Sequence, residues 1–383
     1  MSTIEINCPP ISLFGNGCLA RLPSLIEGKY KKALIVTDKG VAELGLHKKL
    51  TDILDEIGLK WVLYSGVRPN PTVQNVDEAF ALFCGEKCDI IFSVGGGSAI
   101  DCAKAVSILG ANGGNILEYL RDDKKPNGAV MHVAIATTSG TGSEASHSYV
   151  ISDDSVQMKY GVRHRCALPA IAVNDTELLF GLPKALTAST GMDALTHAVE
   201  SLIGVSQSQI TYEMALSAIK LVFAYLPTAC AEPQNELARD KMAAAQYLAG
   251  IAFGNTNVGL VHCMSHQLSA VYSIPHGAAN AALLPHCLRF EEKGCINALC
   301  DITNMLWSIE TNGLGVQEKA DYAIEQIAAL SRSVGTDIPL AQFNVKREDF
   351  ALLAQKTLQD GSIDNSAVFS TEADIQKIFS AAF

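Results

Sequence analysis

The sequence is poor in charged residues and has no excess of basic ones. Only 18% of its 383 residues are charged and 48% are hydrophobic, which excludes an intrinsically disordered chain. The 29 Lys and Arg residues are outnumbered by 40 Asp and Glu, so the formal net charge is −11. Because phosphates repel an acidic surface, we expect no nucleic-acid partner and no membrane partner. The net charge does not exclude a local basic pocket for a small anion.

Cysteine pairs with the spacing of disulfide frameworks or structural zinc sites are also missing. The 11 cysteines are an odd number, and no basic segment followed by an apolar one precedes the first predicted strand. These features are typical of a reducing compartment, so we expect a cytoplasmic protein. Residues 242–288 contain no Asp, Glu, Lys or Arg. Because Gly, Asn, His and Pro interrupt them, we interpret them as a buried core rather than a membrane span.

The hydrophobic pattern changes near residue 181. Before it, helical patterns alternate with short runs rich in Ile and Val, at residues 32–37, 60–64, 89–94, 132–137 and 170–173. This alternation predicts a doubly wound parallel sheet, so residues 1–181 are expected to form an α/β, Rossmann-like dinucleotide domain. Beyond it nearly every segment has the helical period, and residues 182–383 are predicted to form an all-helical domain.

Two loops rich in glycine and hydroxyl groups follow predicted strands at the carboxyl edge of this sheet. One is GGGS at residues 95–98, directly before a predicted helix, and the other is TTSGTGS at residues 137–143. The first could be only a tight turn, since it is not the usual GxGxxG motif. Glycines nevertheless let backbone N–H groups approach a phosphate, and a helix N-terminus attracts one.

An acidic residue stands at the end of another strand of the same sheet. Asp38 follows the run at residues 32–37. A carboxylate there can accept hydrogen bonds from a ribose diol and repel the additional phosphate of NADP. Together with the two loops, it predicts an NAD site.

Histidines cluster in the uncharged part of the helical half. Asp193 and His197 are four residues apart, as are His262 and His266, so each pair lies on one face of a helix. His276 follows in the same region. A single buried histidine is usually a hydrogen-bonded core residue. Several imidazoles with a carboxylate are better satisfied by one divalent metal, Fe or Zn, with open positions for a substrate oxygen. We therefore predict a catalytic metal site.

Long segments of the chain resemble the iron-containing (group III) alcohol dehydrogenases. The segments that carry the likeness are GMDALTHAVE at 191–200, HCMSHQL at 262–268, PHG at 275–277, GGGS at 95–98 and TTSGTGSE at 137–144. The likeness extends from FGNG at residues 14–17 to LPH at residues 284–286. Motifs of this length, in this order, are specific to the family.

The resemblance implies a fold, a metal and its ligands. In the family an N-terminal domain binds NAD(P) and a helical domain holds one divalent metal, usually Fe²⁺ and sometimes Zn²⁺, in an architecture shared with dehydroquinate synthase. Carried over by resemblance, His266 would lie close to the substrate and help to move the proton. The implied metal ligands are Asp193, His197, His262 and His276.

The resemblance also implies a cofactor-binding set and an assembly. Asp38 would contact the adenosine ribose. The implied pyrophosphate loop and further cofactor contacts are Gly95, Gly96, Gly97, Ser98, Thr137, Thr138, Ser143, Asn70 and Lys159. Family members are commonly dimers or larger, so we expect a homo-oligomer.

The sequence departs from the family in two places. The region after residue 359 lacks the Cys and Asn-Pro-Arg ending of many members. The segment RHR at residues 163–165 is unusually basic for so acidic a chain, and His147 and Arg163 stand where relatives vary. This segment is either a solvated loop or part of a pocket for a short anionic aldehyde. Sulfoacetaldehyde and a carboxylate-bearing semialdehyde are examples.

These features predict an NAD-dependent, metal-dependent oxidoreductase. We expect it to interconvert a small aldehyde and its primary alcohol by hydride transfer, acting as an aldehyde reductase, with a short anionic aldehyde as one candidate substrate. An alternative is a general short-chain alcohol dehydrogenase on neutral alcohols. A dehydroquinate-synthase-like lyase is disfavoured because residues 242–288 lack basic residues for a substrate phosphate. A non-catalytic metal- or nucleotide-binding oligomer is the remaining alternative.

Overall fold

A computed structural model describes residues 4–156 and 158–383. Its contacts divide the chain into two compact units. One unit spans Ile6–Phe180, and the other spans Gly181–Phe383 and includes residues 4 and 5. The division falls at the position where the hydrophobic pattern changes from alternating to helical.

A six-stranded parallel sheet forms the centre of the first unit. The strands in chain order are β1 (Ile11–Phe14), β2 (Lys32–Asp38), β3 (Lys60–Val67), β4 (Ile90–Gly95), β5 (His132–Ala136), β6 (Ser148–Asp153), β7 (Met158–Arg163) and β8 (Ile171–Asn174). The order in the sheet is β1-β8-β5-β4-β2-β3, and every neighbouring pair is parallel. Strands β6 and β7 form a separate antiparallel hairpin.

Helices pack on both faces of the sheet. The helices of this unit are α1 (Pro23–Ile26), α2 (Lys39–Glu43), α3 (Lys48–Glu56), α4 (Val73–Gly85), α5 (Gly97–Asn112) and α6 (Ile116–Leu120). Leu34 and Val36 of β2 belong to one hydrophobic cluster, whereas Ala33 and Ile35 belong to another. Since successive residues of a strand point to opposite faces, each face has its own core. This arrangement confirms the predicted doubly wound α/β fold.

Three local features of this unit differ from the sequence prediction. Strand β1 is a four-residue edge strand in which only Leu13 is buried, which is too short and too exposed for a hydrophobic run to reveal it. The β6–β7 hairpin also lacks a predicted counterpart. The apolar residues over 41–57 have the spacing of one helix, but the segment forms two helices, α2 and α3. They are separated at Gly45, whose φ of 70° lies in the left-handed region that ends helices.

The second unit is helical, which confirms the prediction for this half. Its helices are α7 (Lys184–Ile203), α8 (Gln209–Ala231), α9 (Glu236–Thr256), α10 (Leu260–Tyr272), α11 (His276–Trp307), α12 (Val316–Val334), α13 (Phe350–Leu358) and α14 (Glu372–Ala381). Helix α11 is kinked at Cys295, whose φ and ψ are not helical. One hydrophobic cluster runs through the unit, and α7, α10 and α11 all contribute buried residues to it.

Helix α8 is long and apolar enough to cross a membrane by composition alone. The same description fits a core helix. Ala218, Ile219 and Val222 of this helix are fully buried in the helical core. The helix therefore has a packing role within its own unit.

Candidate active site

The sheet has a topological switch point between β2 and β4. Strand β3 follows β2 on one side, and β4 then pairs with β2 on the other. In such sheets the crevice at the carboxyl ends of the two strands is the usual ligand site. Asp38 and Gly95 end these strands, and an Asp38 carboxylate oxygen lies 3.5 Å from where a Cβ on Gly95 would be. The acidic residue and the glycine loop are therefore neighbours.

The glycine loop is a tight turn that leads into α5. A Cβ on Gly95 would lie 2.6 Å from the Cβ of Ala99, so no larger residue fits there. Helix α5 begins at Gly97 and is capped by Gly96, which places Ser98 in its first turn rather than at the cap. The first N–H groups of a helix have no intrahelical acceptor, which makes this end suitable for a phosphate.

The second loop contacts the first. The backbone N–H of Thr137 donates to the carbonyl oxygen of Gly95 over 3.0 Å. The Thr138 hydroxyl lies 3.3 Å from the Cβ position of Gly96, and the Thr141 side chain approaches that of Gly97 to 3.0 Å. The predicted cofactor residues of both loops thus lie along one edge of the sheet.

Ser143 is held by a buried ionic network that the sequence did not reveal. Its hydroxyl donates to Asp101 over 2.5 Å and accepts from the Lys104 ammonium over 3.0 Å. Lys104 also donates to the carbonyl oxygen of Ser148 over 2.6 Å. Burial lowers the pKa of Lys104 to about 8. The nearby carboxyl groups of Asp101 and Glu144 act in the opposite direction but only partly offset this effect. Since the single hydrogen of the hydroxyl is already used, Ser143 anchors the loop and has only acceptor capacity left for a cofactor.

Asn70 and Lys159 are brought together although they are far apart in the sequence. The Lys159 ammonium donates to the Asn70 side-chain oxygen over 2.8 Å. Asn70 has a φ of 57°, a left-handed conformation that asparagine tolerates better than most residues. Burial lowers the pKa of Lys159 to about 8. The pair makes a polar site in the first unit.

Three of the four predicted metal ligands converge in the second unit. Helices α7, α10 and α11 supply Asp193, His262 and His276, and one candidate ligand atom from each lies within 4.8 Å of the others. An Asp193 oxygen is 3.8 Å from Nε2 of His262 and 3.7 Å from Nε2 of His276. Asp193 and His262 are buried, whereas His276 is 30% exposed. The cluster is therefore enclosed except on the His276 side.

His197 adjoins this cluster without belonging to the group of three. Its Nδ1 lies 4.0 Å from the Asp193 carboxylate, and its ring stacks on those of His262 and Phe253, with centroids 4.5 and 4.3 Å apart. This Nδ1 is buried and has no hydrogen-bond partner among the described residues. A buried nitrogen without a partner costs free energy unless a ligand satisfies it.

Asn280 shows that the cluster fits a cation. Its side-chain nitrogen lies 2.7 Å from Asp193, 3.1 Å from Nε2 of His262 and 3.3 Å from Nε2 of His276. An amide has only two hydrogens to share among these three side chains. Burial holds the pKa of His262 well below its usual value, so this imidazole is neutral, the form that binds metals. Two imidazoles and one carboxylate suit Fe²⁺ or Zn²⁺.

A buried carboxylate orients His262. Glu200 accepts from Nδ1 of His262 and, over 2.6 Å, from the backbone N–H of Val261. Burial raises the pKa of Glu200 to about 7, and hydrogen bonds from the backbone at Gly259, Val261 and His262 oppose this shift. With Nδ1 engaged, Nε2 is the nitrogen directed at Asp193. Such a partner fixes the tautomer and the ring plane of a metal-binding histidine.

A second carboxylate holds His266, one helical turn later. Nδ1 of His266 lies 2.8 Å from the Asp360 carboxylate, and its ring stacks on that of His276 with centroids 5.4 Å apart. Sequence reasoning missed Glu200, Asn280 and Asp360. Asn280 is four residues after His276 on the same helix, and this spacing could have revealed it. No spacing or motif around Asp360 in the sequence indicates its role.

His147 and Arg163 are neighbours at the β6–β7 hairpin. Arg163 pairs with Ser148 in the hairpin register, and the backbone N–H of His164 donates to the carbonyl oxygen of His147 over 3.1 Å. Burial and the nearby Arg163 lower the pKa of His147 to about 4. His147 is buried, whereas Arg163 is exposed at the residue level, although burial of its guanidinium lowers the Arg163 pKa. The basic segment is therefore partly solvated.

Comparisons with known proteins match both halves of the chain. A family model described as iron-containing alcohol dehydrogenase matches residues 9–176, and one for the C-terminal part of the Fe-containing alcohol dehydrogenase family matches residues 187–383. Alcohol dehydrogenase 4 of Schizosaccharomyces pombe is 39% identical over 98% of this chain and 88% of its own length. 1,3-propanediol dehydrogenase of Citrobacter freundii is 39% identical over 97% of this chain and 95% of its own.

Solved structures agree with these relatives. A 1,3-propanediol oxidoreductase superposes with a TM-score of 0.96 and 37% identity over 100% of both chains. Sulfoacetaldehyde reductase of Bifidobacterium kashiwanohense, solved in complex with NAD⁺, superposes with a TM-score of 0.88 and 28% identity. That match covers 100% of this chain and 99% of the other. The similarity therefore spans both units.

Proposed function

The chain belongs to the iron-containing alcohol dehydrogenase family, and we propose that it interconverts a short aldehyde and its primary alcohol with NAD(H) and one divalent metal. The observation that carries the proposal is the convergence of Asp193, His262 and His276, whose candidate ligand atoms lie within 4.8 Å of one another. A carboxylate and two imidazoles gathered around one amide nitrogen by three packed helices are typical of a cation site rather than of a hydrophobic core.

Asp193, His262 and His276 would hold the metal, and His197 would complete the set through its buried Nδ1, which lies 4.0 Å from the Asp193 carboxylate. Bound there, a divalent metal supplies Lewis acidity that polarises a carbonyl or alcohol oxygen. The partly exposed His276 lies on the side open to a small substrate. Fe²⁺ is the expected metal from the family, and Zn²⁺ fits the same donors.

The first unit would bind the dinucleotide. The first turn of α5, which begins at Gly97, offers N–H groups to the pyrophosphate, and Asp38 accepts from the adenosine ribose diol. The Asp38 charge disfavours NADP, so the expected cofactor is NAD(H). The nicotinamide supplies the hydride, and these residues would orient and enclose the cofactor.

The chain also has a candidate residue to donate or accept the proton that accompanies hydride transfer. Reduction of an aldehyde adds a hydride to carbon and a proton to oxygen. His266 is 14% exposed on its side chain, stacks on His276, and is engaged through Nδ1 with Asp360, so Nε2 is the nitrogen free for exchange. In the alcohol-forming direction His266 gives this proton to the product oxygen and regains one from water.

We propose short neutral aldehydes as the main substrate class. One of the curated relatives with 39% identity is a 1,3-propanediol dehydrogenase, whose named substrate is neutral. Arg163 is the observation in favour of an anionic aldehyde, and so is the similarity to a sulfoacetaldehyde reductase. However, Arg163 is exposed at the residue level, and an ion pair at an exposed site contributes only about 0–1 kcal/mol, too little to select a substrate; burial that lowers the pKa of its guanidinium is the observation on the other side. We also propose a homo-oligomer in the cytoplasm, which gel filtration and cell fractionation would test.

The test is NADH oxidation by metal-free protein reloaded under anaerobic conditions with Fe²⁺ or Zn²⁺. Substrates are neutral aldehydes of two to four carbons, sulfoacetaldehyde and succinic semialdehyde. We expect metal-dependent turnover that favours the neutral aldehydes and is lost in His276→Ala together with bound metal. A strong preference for the anionic aldehydes that disappears in Arg163→Ala would select the anionic class instead. Full turnover without metal would refute the proposal.

A further inference from the structure

Two histidines on one face of α10 are each held at Nδ1 by a carboxylate, but in different surroundings. The His262–Glu200 pair is buried, with side-chain exposures of 2% and 1%. The His266–Asp360 pair has exposures of 14% and 16%. His262 belongs to the converging metal-ligand set, whereas His266 does not. The two pairs therefore suit different tasks.

Asp360 is itself fixed by several donors. One of its oxygens accepts the backbone N–H of Ser362 over 3.0 Å, and the other lies 2.8 Å from Nδ1 of His266. Although burial opposes it, His266, the Ser362 N–H and the Cys263 thiol hold the pKa of Asp360 well below its usual range. An ionised carboxylate only accepts, so Nδ1 of His266 must carry the hydrogen of this bond.

The remaining nitrogen of His266 is thereby defined. With Nδ1–H committed to Asp360, the ring cannot rotate without losing a charge-assisted hydrogen bond. Its plane is also set by stacking on His276, with an interplanar angle of 16°. Nε2 keeps one tautomeric state and one direction.

We propose that Asp360 is a positioning residue that holds His266 in the Nδ1–H form, so that Nε2 exchanges the substrate proton, and that it does so without contributing to metal binding. The inference rests on the proposed dehydrogenase function. In aldehyde reduction His266 starts as the imidazolium: its Nε2–H bond breaks, an O–H bond forms on the product, and the neutral imidazole that remains keeps its Nδ1–H on Asp360 until Nε2 regains a proton from water. Glu200, by contrast, acts on a ligand of the metal.

The first test separates metal binding from turnover in four variants. In Asp360→Asn and Asp360→Ala we expect the metal dissociation constant to stay within about twofold of the wild-type value. We expect kcat to fall by about tenfold in the first and more in the second, because the asparagine oxygen can still accept from Nδ1. Glu200→Gln should weaken metal affinity by about 10–100-fold. Asp349→Asn is the matched control, because Asp349 accepts from Tyr272 on the same helix and has no hydrogen bond to a histidine among the described residues, and kcat should not change.

The second test asks whether Asp360 acts through His266. In a His266→Ala background, Asp360→Ala should cause little further loss of kcat, because the two side chains act as a unit. Independent, multiplicative losses would overturn the proposal and leave Asp360 a structural residue. So would a loss of metal in Asp360→Asn comparable to that in Glu200→Gln.

The third test does not depend on activity. In Zn²⁺-loaded protein labelled with ¹⁵N-histidine, the His266 ring signals are identified by their absence in His266→Ala. We expect Nδ1 to be protonated in the wild type and the ring signals to change in Asp360→Ala. An unprotonated Nδ1 in the wild type would overturn the proposal whatever the kinetics. Conversely, a protonated Nδ1 in a protein without aldehyde turnover would refute the proposed function and leave the pairing intact.

Discussion

Gly277 offers a sharp test of how closely the metal cluster depends on helix packing. It follows His276 in the first turn of α11, where that helix meets α7. A Cβ on Gly277 would lie 2.2 Å from the carbonyl oxygen of Ser189 and 3.3 Å from the Cβ of Asp193. Since real Cβ contacts do not fall below 3.0 Å, Gly277→Ala must separate the two helices by about 0.8 Å.

This separation is several times the tolerance of metal coordination. Metal–ligand distances vary by only about 0.2 Å, so moving His276 away from Asp193 should cost about 100-fold or more in metal affinity. Overpacking should cost about 1–3 kcal/mol of stability, which the better helix propensity of alanine offsets by about 1 kcal/mol. Metal affinity is measured by competition with a coloured chelator, and stability by denaturant unfolding of the metal-free protein.

Gly294→Ala on the same helix is the matched control. Its Cβ would lie 2.5 Å from the carbonyl oxygen of Ala367, a comparable backbone clash. It lies about 25 Å further along the helix, given a rise of about 1.5 Å per residue. We expect a similar loss of stability with unchanged metal affinity. Wild-type metal affinity in Gly277→Ala would show that the cluster does not depend on this close approach, and the reasoning would fail.

Three further predictions concern the first unit. Burial lowers the pKa of His132 to about 3, whereas in the unfolded chain the pKa returns to about 6.5. Between these two pH values the unfolded chain therefore binds one proton more at His132 than the folded protein does. Stability should therefore fall as pH drops from 6.5 towards 3, by up to roughly 5 kcal/mol, and His132→Gln should flatten this part of a pH series of urea unfolding curves. Lys104→Met leaves the buried Asp101 without its cation, so it should destabilise the protein by about 3 kcal/mol and raise the KM for NADH; an unchanged urea midpoint would contradict this. Asp38→Asn keeps the hydrogen bond from the Val41 N–H but removes the charge, so the NADPH-to-NADH ratio of kcat/KM should rise by about tenfold, and an unchanged ratio would show that Asp38 does not face the ribose.

The sequence predicted what depends on local spacing. Asp193 with His197, and His262 with His266, were found because residues four apart share a helix face, and the glycine loop because it directly follows a buried run. Asp360 could not be found this way, because 94 residues separate it from His266 and only the packing of α10 against the segment after α13 joins them. Strand β1 escaped for a related reason. Its four residues form a strand because they pair with β8, not because of their own hydrophobic pattern.

The pairing of β1 with β8 also has a consequence for synthesis on the ribosome. Ile11 lies opposite Ile171, so the edge of the sheet cannot close until some 160 further residues have left the exit tunnel. Asp175, just beyond β8, then accepts the backbone N–H groups of Gly17 and Leu19 over 2.9 and 3.0 Å. Strands β2 to β5 can assemble earlier, whereas the N-terminal segment must wait without a partner. A translational pause once residue 175 has left the exit tunnel would therefore give this unit time to complete its sheet. A pause before residue 171 has left the tunnel would prolong the exposure of the first strand.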